Sequence, residues 1–149
     1  MKIILALAAL LLAQSASPAL AQQTSLTLEL ETGRPEGQIA VALYRNPDDF
    51  RHNRNPVRTL MLDRDGPVTH TVISGLAPGR YAIAAFQDLN RDGKLGTNPV
   101  GIPNEPFGFS SDARARFGPP SFDAAAFTLG ASGASQRIIL RSPMNAILR

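Results

Sequence analysis

The amino-acid sequence predicts an all-β protein, a single antiparallel sandwich of about seven short strands. Three observations support this fold class. Short segments that alternate or are rich in β-branched residues recur along the chain, and turn residues separate most of them at intervals of roughly 8 to 12 residues. No long segment shows the helical period of about 3.6 residues. A hydrophobic fraction of 44% in 149 residues is sufficient for one core.

Residues 1–21 have the parts of a cleavable signal peptide. Lys2 supplies the positive charge, residues 3–13 are apolar, and Ala19–Ala21 has the small-x-small pattern of a cleavage site. The apolar run is shorter than the roughly 20 residues that span a bilayer. We therefore expect residues 22–149 to form one exported domain in the periplasm or the medium. An uncleaved anchor is the alternative.

The strands are predicted in chain order from their residue patterns. Residues 25–30 alternate strictly with leucines on one face, and residues 39–44 alternate large aliphatic residues with small alanines. Residues 45–56 are polar and contain two prolines, so we expect a loop, and residues 74–79 are expected to form a tight turn. The other predicted strands are residues 57–62, 68–73, 80–86, 126–129 and 137–140.

Residues 75–83, with the sequence GLAPGRYAI, form a recognisable strand entry. Pro78 fixes its own φ in the turn, and Gly79 can take a backbone angle that a Cβ resists. Tyr81 and Ile83 then fall on one strand face. The segment resembles an edge found in transthyretin-like and carboxypeptidase-regulatory-like sandwiches. The resemblance implies an Ig-like or transthyretin-like sandwich and no particular activity.

The composition excludes several classes of protein. The chain has no cysteine, which excludes disulfide scaffolds, thiolate metal sites, cysteine nucleophiles and lipoprotein anchors. The isoelectric point near 10 reflects 13 arginines among 15 basic residues. Five of those arginines are interleaved with four aspartates between residues 45 and 65, as on a solvated surface. We therefore expect no nucleic-acid partner, and no transmembrane segment beyond the leader.

Residues 88–95 match the opening of a calcium loop, with the pattern D-x-N-x-D-G-x-apolar. Asp88, Asn90 and Asp92 would supply side-chain oxygens, and Lys94 would supply its main-chain carbonyl. The glycine at the sixth position allows the sharp turn. These residues predict a cation site that favours Ca²⁺ over Mg²⁺.

The second half of this loop departs from an EF-hand. Proline stands at position 12, where an EF-hand has a bidentate glutamate, and glycine stands at position 9. Glu105 is the best candidate for the remaining ligand. An open alternative is a turn of the same shape without metal, in which the side chains bind nearby amides. Less favoured ligands are Asn98, Asn104, Asp112 and Asp123.

Residues 96–123 form a long irregular region rich in proline, glycine and phenylalanine. Disordered linkers are poor in aromatic residues, so we expect an ordered loop. One interpretation is a surface that binds a glycan, a peptide or another protein. The alternative is a lid whose phenylalanines cap the open end of the sandwich. The candidate binding residues are Phe107, Phe109, Arg114, Arg116 and Phe117.

Three runs of residues, 81–95, 101–110 and 117–122, carry a second resemblance. Together they are similar to exported bacterial proteins of domain of unknown function family 2141. The resemblance implies a secreted β-sandwich with no assigned activity. Members often have aspartate where this chain has Gly96, which removes one candidate ligand.

The sequence favours an exported, non-enzymatic binding module of unknown ligand and oligomeric state. A structural or envelope-assembly protein is the first alternative. A glycoside hydrolase that uses Asp88 with Asp92 or Glu105 is the second. No base or nucleophile stands out elsewhere, because His52 is expected at the surface and His70 in the core or at its rim.

Overall fold

The computed structural model describes residues 23–144, so the predicted leader and its cleavage site lie outside the described residues. Two β-sheets pack against each other around a shared hydrophobic core, which confirms the predicted all-β sandwich. The strands are β1 (Thr24–Thr32), β2 (Gln38–Tyr44), β3 (Arg58–Asp63), β4 (Val68–Leu76), β5 (Gly79–Asp88), β6 (Phe107–Phe109), β7 (Phe127–Leu129) and β8 (Ala134–Leu140). The helices are α1 (Pro47–His52) and α2 (Phe122–Ala125), and a 3-10 turn spans Ser110–Asp112.

The first sheet has the strand order β4-β1-β8, and the second has the order β3-β2-β5-β6, with β7 paired to the start of β5. One pair differs from the predicted antiparallel arrangement: β1 and β8 are parallel, in register from Leu26 opposite Ala134 to Thr32 opposite Leu140. The reason is a change of sheet. After β7 the chain turns at Gly130–Gly133 and enters the first sheet beside β1, instead of continuing as a hairpin in the second.

The core contains the faces that the alternation predicted. Leu26, Leu28 and Leu30 of β1 are completely buried against the β2 face that carries Ile39 and Leu43. Tyr81 and Ile83 share the core face of β5, as expected from the strand-entry motif. The Tyr81 hydroxyl donates to the Ala77 carbonyl at 2.6 Å, and the Arg45 guanidinium lies 5.1 Å from the Tyr81 ring centre. The aromatic residue therefore fixes the turn that precedes its own strand.

The prediction of a loop at residues 45–56 was wrong in part, because this segment contains α1. Asn46 caps the helix by accepting hydrogen bonds from the amides of Asp48 and Asp49, and Pro47 occupies the first turn, where its missing N–H costs nothing. Phe50 is buried beneath the helix. The helix has six residues, too few for the sequence pattern to show a period.

Two other boundaries differ from the prediction. Strand β4 continues to Leu76, where a turn was expected, because Gly75 takes a φ of +75° at a register irregularity opposite β1. Strand β8 begins at Ala134, inside the predicted connection.

His70 is exposed on β4, opposite Glu29, so the expectation of a core or rim position was wrong, whereas His52 is exposed as expected.

A second, smaller core covers the outer face of the second sheet. Ala82 of β5 is buried there, and small side chains at Ala42 and Ala84 leave room for aromatic rings. Phe50 of α1 and Phe122 of α2 meet edge to face, with ring centres 6.0 Å apart. The irregular region is thus an ordered excursion that supplies an extra strand, β6, and packs over a sheet face.

Among residues 23–144, the two helices have six and four residues, and neither is long and apolar enough to cross a membrane.

Candidate functional site

Asp88 begins the acidic loop as the last residue of β5 and is completely buried. Its Oδ1 accepts the amide of Asp92 at 3.1 Å, and its Oδ2 accepts the amide of Gly93 at 2.8 Å and Nε2 of Gln38 at 3.3 Å. Burial alone would raise the pKa of Asp88, but these hydrogen bonds outweigh it and lower the pKa below its usual value of 3.8. The carboxylate therefore closes the loop by holding main-chain amides.

Asn90 and Asp92 form the middle of the loop. The Asn90 side chain accepts the Asp92 amide at 3.3 Å and donates to Asp92 Oδ2 at 3.0 Å, while Asp92 Oδ1 accepts the Lys94 amide at 2.8 Å. Gly93 has a φ of +76°, which allows the sharp turn. The side chains at the first, third and fifth loop positions are thus close together, as the motif predicts.

Glu105 joins the two ends of the same loop. Its Oε1 accepts the Leu89 amide at 2.8 Å, and its Oε2 accepts the Gly96 amide at 2.9 Å. The residue is only 5% exposed. The structure therefore brings Glu105 to the loop, as the sequence analysis expected. A Cβ built on Gly96 would lie 3.6 Å from Glu105 Oε2, so a side chain at position 96 would face this carboxylate.

The other oxygen-bearing candidates make contacts of their own. Asn98 accepts the amides of Val100 and Ile102, and Asp123 pairs with Arg80 at 2.9 Å. No group of three or more His, Cys, Asp or Glu side chains in the described part of the chain is placed to hold a metal ion. Hydrogen bonds from side chains to main-chain amides close the loop, as in the alternative of a turn without metal. Calcium binding stays a prediction.

The phenylalanines proposed for binding are divided between core and surface. Phe107 is 7% exposed and meets half-buried Phe109 edge to face at 5.9 Å, beside buried Ala115. Phe117 is fully exposed, and Arg116 next to it is exposed as well. Phe107 and Phe109 therefore anchor the excursion to β5, while Phe117 and Arg116 are free to meet solvent.

Arg114 belongs to a charged cluster with two other residues. Asp112 Oδ2 accepts Arg114 Nη2 at 3.0 Å, and its Oδ1 lies 2.8 Å from Arg141 Nη1. Partial burial would raise the pKa of Asp112, but hydrogen bonds and charge from the two arginines lower the pKa below 3.8. Ser111 and Asp112 have φ values of +56° and +49°, an uncommon left-handed pair outside glycine.

A cleft of about 630 Å³ lies where the excursion meets the ends of β1 and β8. Its charged lining comes from Glu31 on β1, Arg34 on the following turn, Arg114 of the excursion and Arg141 after β8. Pro106 and Ile139 supply apolar surface. The cleft is within the size range of small-molecule sites, roughly 300 to 1,000 Å³.

Two residues outside the lining set the shape of the cleft. The Gln87 amide is completely buried and donates to the carbonyls of Arg34 at 2.9 Å and Glu36 at 2.6 Å, which holds the turn that carries Arg34. Gly108 allows β6 to approach β8, because a Cβ there would lie 2.5 Å from the Ile139 carbonyl oxygen. Gln87 and Gly108 therefore position segments that line the cleft, although neither residue lines it.

Sequence analysis identified Arg114 but missed Arg34 and Arg141. Arg34 lies in a polar turn, and Arg141 follows a predicted strand, and neither position carries a motif. Residues 34, 114 and 141 are far apart in sequence, so only the folded chain brings them to one cleft. No local pattern could have indicated it.

A family model described as an uncharacterised protein conserved in bacteria, DUF2141, matches residues 31–137. That range covers most of the two sheets, the acidic loop and the excursion. Neither the curated proteins nor the solved structures give a match.

Proposed function

The chain belongs to the DUF2141 family of uncharacterised bacterial proteins, and from this premise we propose that it is an exported, non-enzymatic binding module. Its ligand site is the cleft between the excursion and the ends of β1 and β8. The sequence pattern of a signal peptide at residues 1–21 supports export to the periplasm or the medium.

The observation that supports this proposal most is the composition of the cleft. Arg34, Arg114 and Arg141 line the cleft together with the apolar side chains of Pro106 and Ile139. A concave surface of this size with a few converging polar groups is typical of small-molecule sites. The walls are fixed by backbone contacts, since the main chains of Phe107 and Arg141 exchange two hydrogen bonds of 3.0 Å. A ligand would therefore enter a preformed site.

The carboxylates of the acidic loop support a non-enzymatic role. Asp88 is completely buried and Glu105 is 5% exposed, and each gives its oxygens to main-chain amides. A glycosidase needs two carboxyl groups that reach the scissile bond. Neither side chain has that access, so the hydrolase hypothesis has no supporting observation.

Ligand binding at the cleft is tested by NMR with isotope-labelled protein and a library of neutral, anionic and cationic fragments. We expect amide shifts to concentrate at residues 31–34, 114 and 139–142. Fragments that shift only residues outside the cleft, or no residues at all, would contradict the proposal. Shifts around α1 serve as the internal control, because α1 does not line the cleft.

We also propose, as a separate hypothesis, that calcium stabilises the loop at residues 88–95. Thermal unfolding is measured with calcium, with magnesium and with a chelator. Binding to the native state alone raises stability by about 2.7 kcal/mol at a ligand concentration 100-fold above Kd. We expect Asp92→Ala to abolish a calcium-induced increase in Tm and Asp112→Ala to retain it.

A gain-of-function variant sharpens the calcium experiment. Gly96→Asp adds a carboxylate facing Glu105, so it should enlarge the calcium-induced increase in Tm if a cation binds this loop. An unchanged Tm at millimolar calcium in both the native chain and Gly96→Asp would rule out the hypothesis. Equal loss from Asp92→Ala and Asp112→Ala would show that the ligands are assigned wrongly.

The second candidate function is a structural or envelope-assembly role. One observation favours it: exposed apolar side chains lie on the excursion, with Phe117 fully exposed and Val100 78% exposed. Under this alternative, Phe117→Ser and Val100→Ser would remove the biological activity, whereas substitutions in the cleft would leave it intact.

A further inference from the structure

Asp112 already presents a carboxylate to two arginines of the cleft. One oxygen lies 2.8 Å from Arg141 Nη1 and the other accepts Arg114 Nη2 at 3.0 Å, so the planar group bridges two guanidinium groups. Each arginine contacts one carboxylate oxygen through one nitrogen, and both contacts are between opposite charges at hydrogen-bonding distance. The pair of arginines is therefore shaped and charged to receive a carboxylate.

The Asp112 carboxylate is more exposed to solvent than the two arginines that it pairs with. The Asp112 side chain is 56% exposed, whereas those of Arg114 and Arg141 are 33% and 20% exposed. Asp112 also has a φ of +49°, next to Ser111 at +56°, in a backbone region that non-glycine residues seldom adopt. Of the three side chains, that of Asp112 is therefore the one that solvent or a solute reaches most easily.

The remaining charges leave the cleft positive. Arg34 lines it from the turn after β1, and Glu31 is hydrogen bonded by Arg137, which lies outside the lining. Three arginines and one carboxylate, Glu31, line the cleft, and Asp112 pairs with Arg114 and Arg141 from outside the lining. The lining therefore carries a net positive charge that favours an anionic ligand.

We propose that the cleft binds a small molecule carrying carboxylate groups, which competes with Asp112 for the guanidinium groups of Arg114 and Arg141. This inference rests on the proposed function, because it names the ligand class of the same cleft. Asp112 then acts as an internal competitor that lowers affinity. Arg34 is placed to meet a second carboxylate of the ligand, and Pro106 and Ile139 cover its apolar part.

Calorimetric titration with citrate tests the proposal, with inorganic phosphate and glycerol as comparison solutes. We expect citrate to bind more tightly than phosphate, and glycerol not to bind. Asp112→Asn keeps the side-chain shape and tolerates the left-handed backbone, and it should tighten citrate binding by about tenfold. Such a gain cannot come from misfolding.

Arg114→Gln and Arg141→Gln should each weaken citrate binding by about tenfold or more. Arg116→Gln is the matched control, because Arg116 is exposed outside the cleft and its loss should leave affinity unchanged. Circular dichroism of each variant confirms that it is folded.

Three outcomes would overturn the proposal: Asp112→Asn binds citrate no better than the native chain, phosphate binds as tightly as citrate, or Arg116→Gln weakens citrate binding as much as Arg141→Gln. If neutral fragments occupy the cleft while citrate does not, the carboxylate class is wrong and the binding module stands. If no fragment of any charge shifts the cleft residues, the proposed function itself is wrong.

Discussion

Buried polar side chains hold the long excursion to the sandwich by bonding main-chain atoms. Ser110 is completely buried, accepts the Ile83 amide at 2.8 Å and donates to the Ala125 carbonyl at 2.6 Å. Gln87 and Glu105 hold two other segments in the same way. Because a main-chain group buried without a partner is costly, each of these side chains fixes a segment that has no regular ladder of its own.

Ser110→Ala should lower the free energy of unfolding by about 1–3 kcal/mol, since it leaves the Ile83 amide buried without an acceptor. Urea unfolding of the purified protein measures the change. Ser135→Ala, at an exposed position of β8, is the matched control and should change stability by less than about 0.5 kcal/mol. Equal effects from the two substitutions would show that the buried hydroxyl does not hold the excursion.

At the scale of elements, β6 is the short strand on which the excursion depends. It pairs with β5 over three residues, from Ala84 opposite Phe109 to Phe86 opposite Phe107. It also meets β8 through the two hydrogen bonds between Phe107 and Arg141. A strand of three residues is stable here because it bridges the two sheets. Pro106, the residue before β6, lines the cleft.

Gly108→Ala should push β6 away from β8, because the new Cβ would lie 2.5 Å from a main-chain oxygen that cannot move like a flexible side chain. We expect stability to fall by about 1–3 kcal/mol and citrate affinity to fall with it. Urea unfolding and calorimetric titration give the two quantities.

Gly130→Ala is the control for that substitution, since no atom lies within 4 Å of the Cβ it would add. A Gly108→Ala protein with native stability would contradict the close approach of β6 and β8.

At the scale of the whole molecule, the last described strand, β8, completes the core and the first sheet. β8 pairs in parallel with β1 across seven residues, and its Ile138 and Leu140 enter the main core. The two strands are separated by more than 100 residues of sequence, as the Glu31–Arg137 pair shows. Contacts of such long range fold slowly, because the loop-closure entropy is lost before the core forms. The sandwich can close only when β8 is available.

A chain that ends after Gly133 should show no cooperative thermal unfolding by circular dichroism, because it lacks one side of the core and a partner for β1. The control chain ends after Met144, keeps every contact described here and should unfold cooperatively. Cooperative unfolding of the shorter chain would mean that the other seven strands form a sufficient core.

The sequence by itself determined the alternating strands, the turn before Tyr81 and the acidic loop with Glu105. These features depend on neighbouring residues or on a dense local motif, so a short segment of sequence is enough to predict each of them. It did not reveal α1, β6 or the parallel pairing of β1 and β8. The helix and β6 are too short to show a period, and they are stabilised by the aromatic rings and alanines that surround them.

Only the tertiary structure decided where the cleft lies and which charges face it. Arg34, Arg114 and Arg141 come from three distant segments, and they meet because Gln87 holds one turn and Gly108 lets β6 approach β8. The sequence contains no cysteine, so disulfide bonds were excluded before the structure was known. The structure shows what fixes the excursion in their place: buried polar side chains bonded to main-chain atoms, and rings packed against small residues. Such contacts join residues that are remote in sequence, which is why no local pattern specified them.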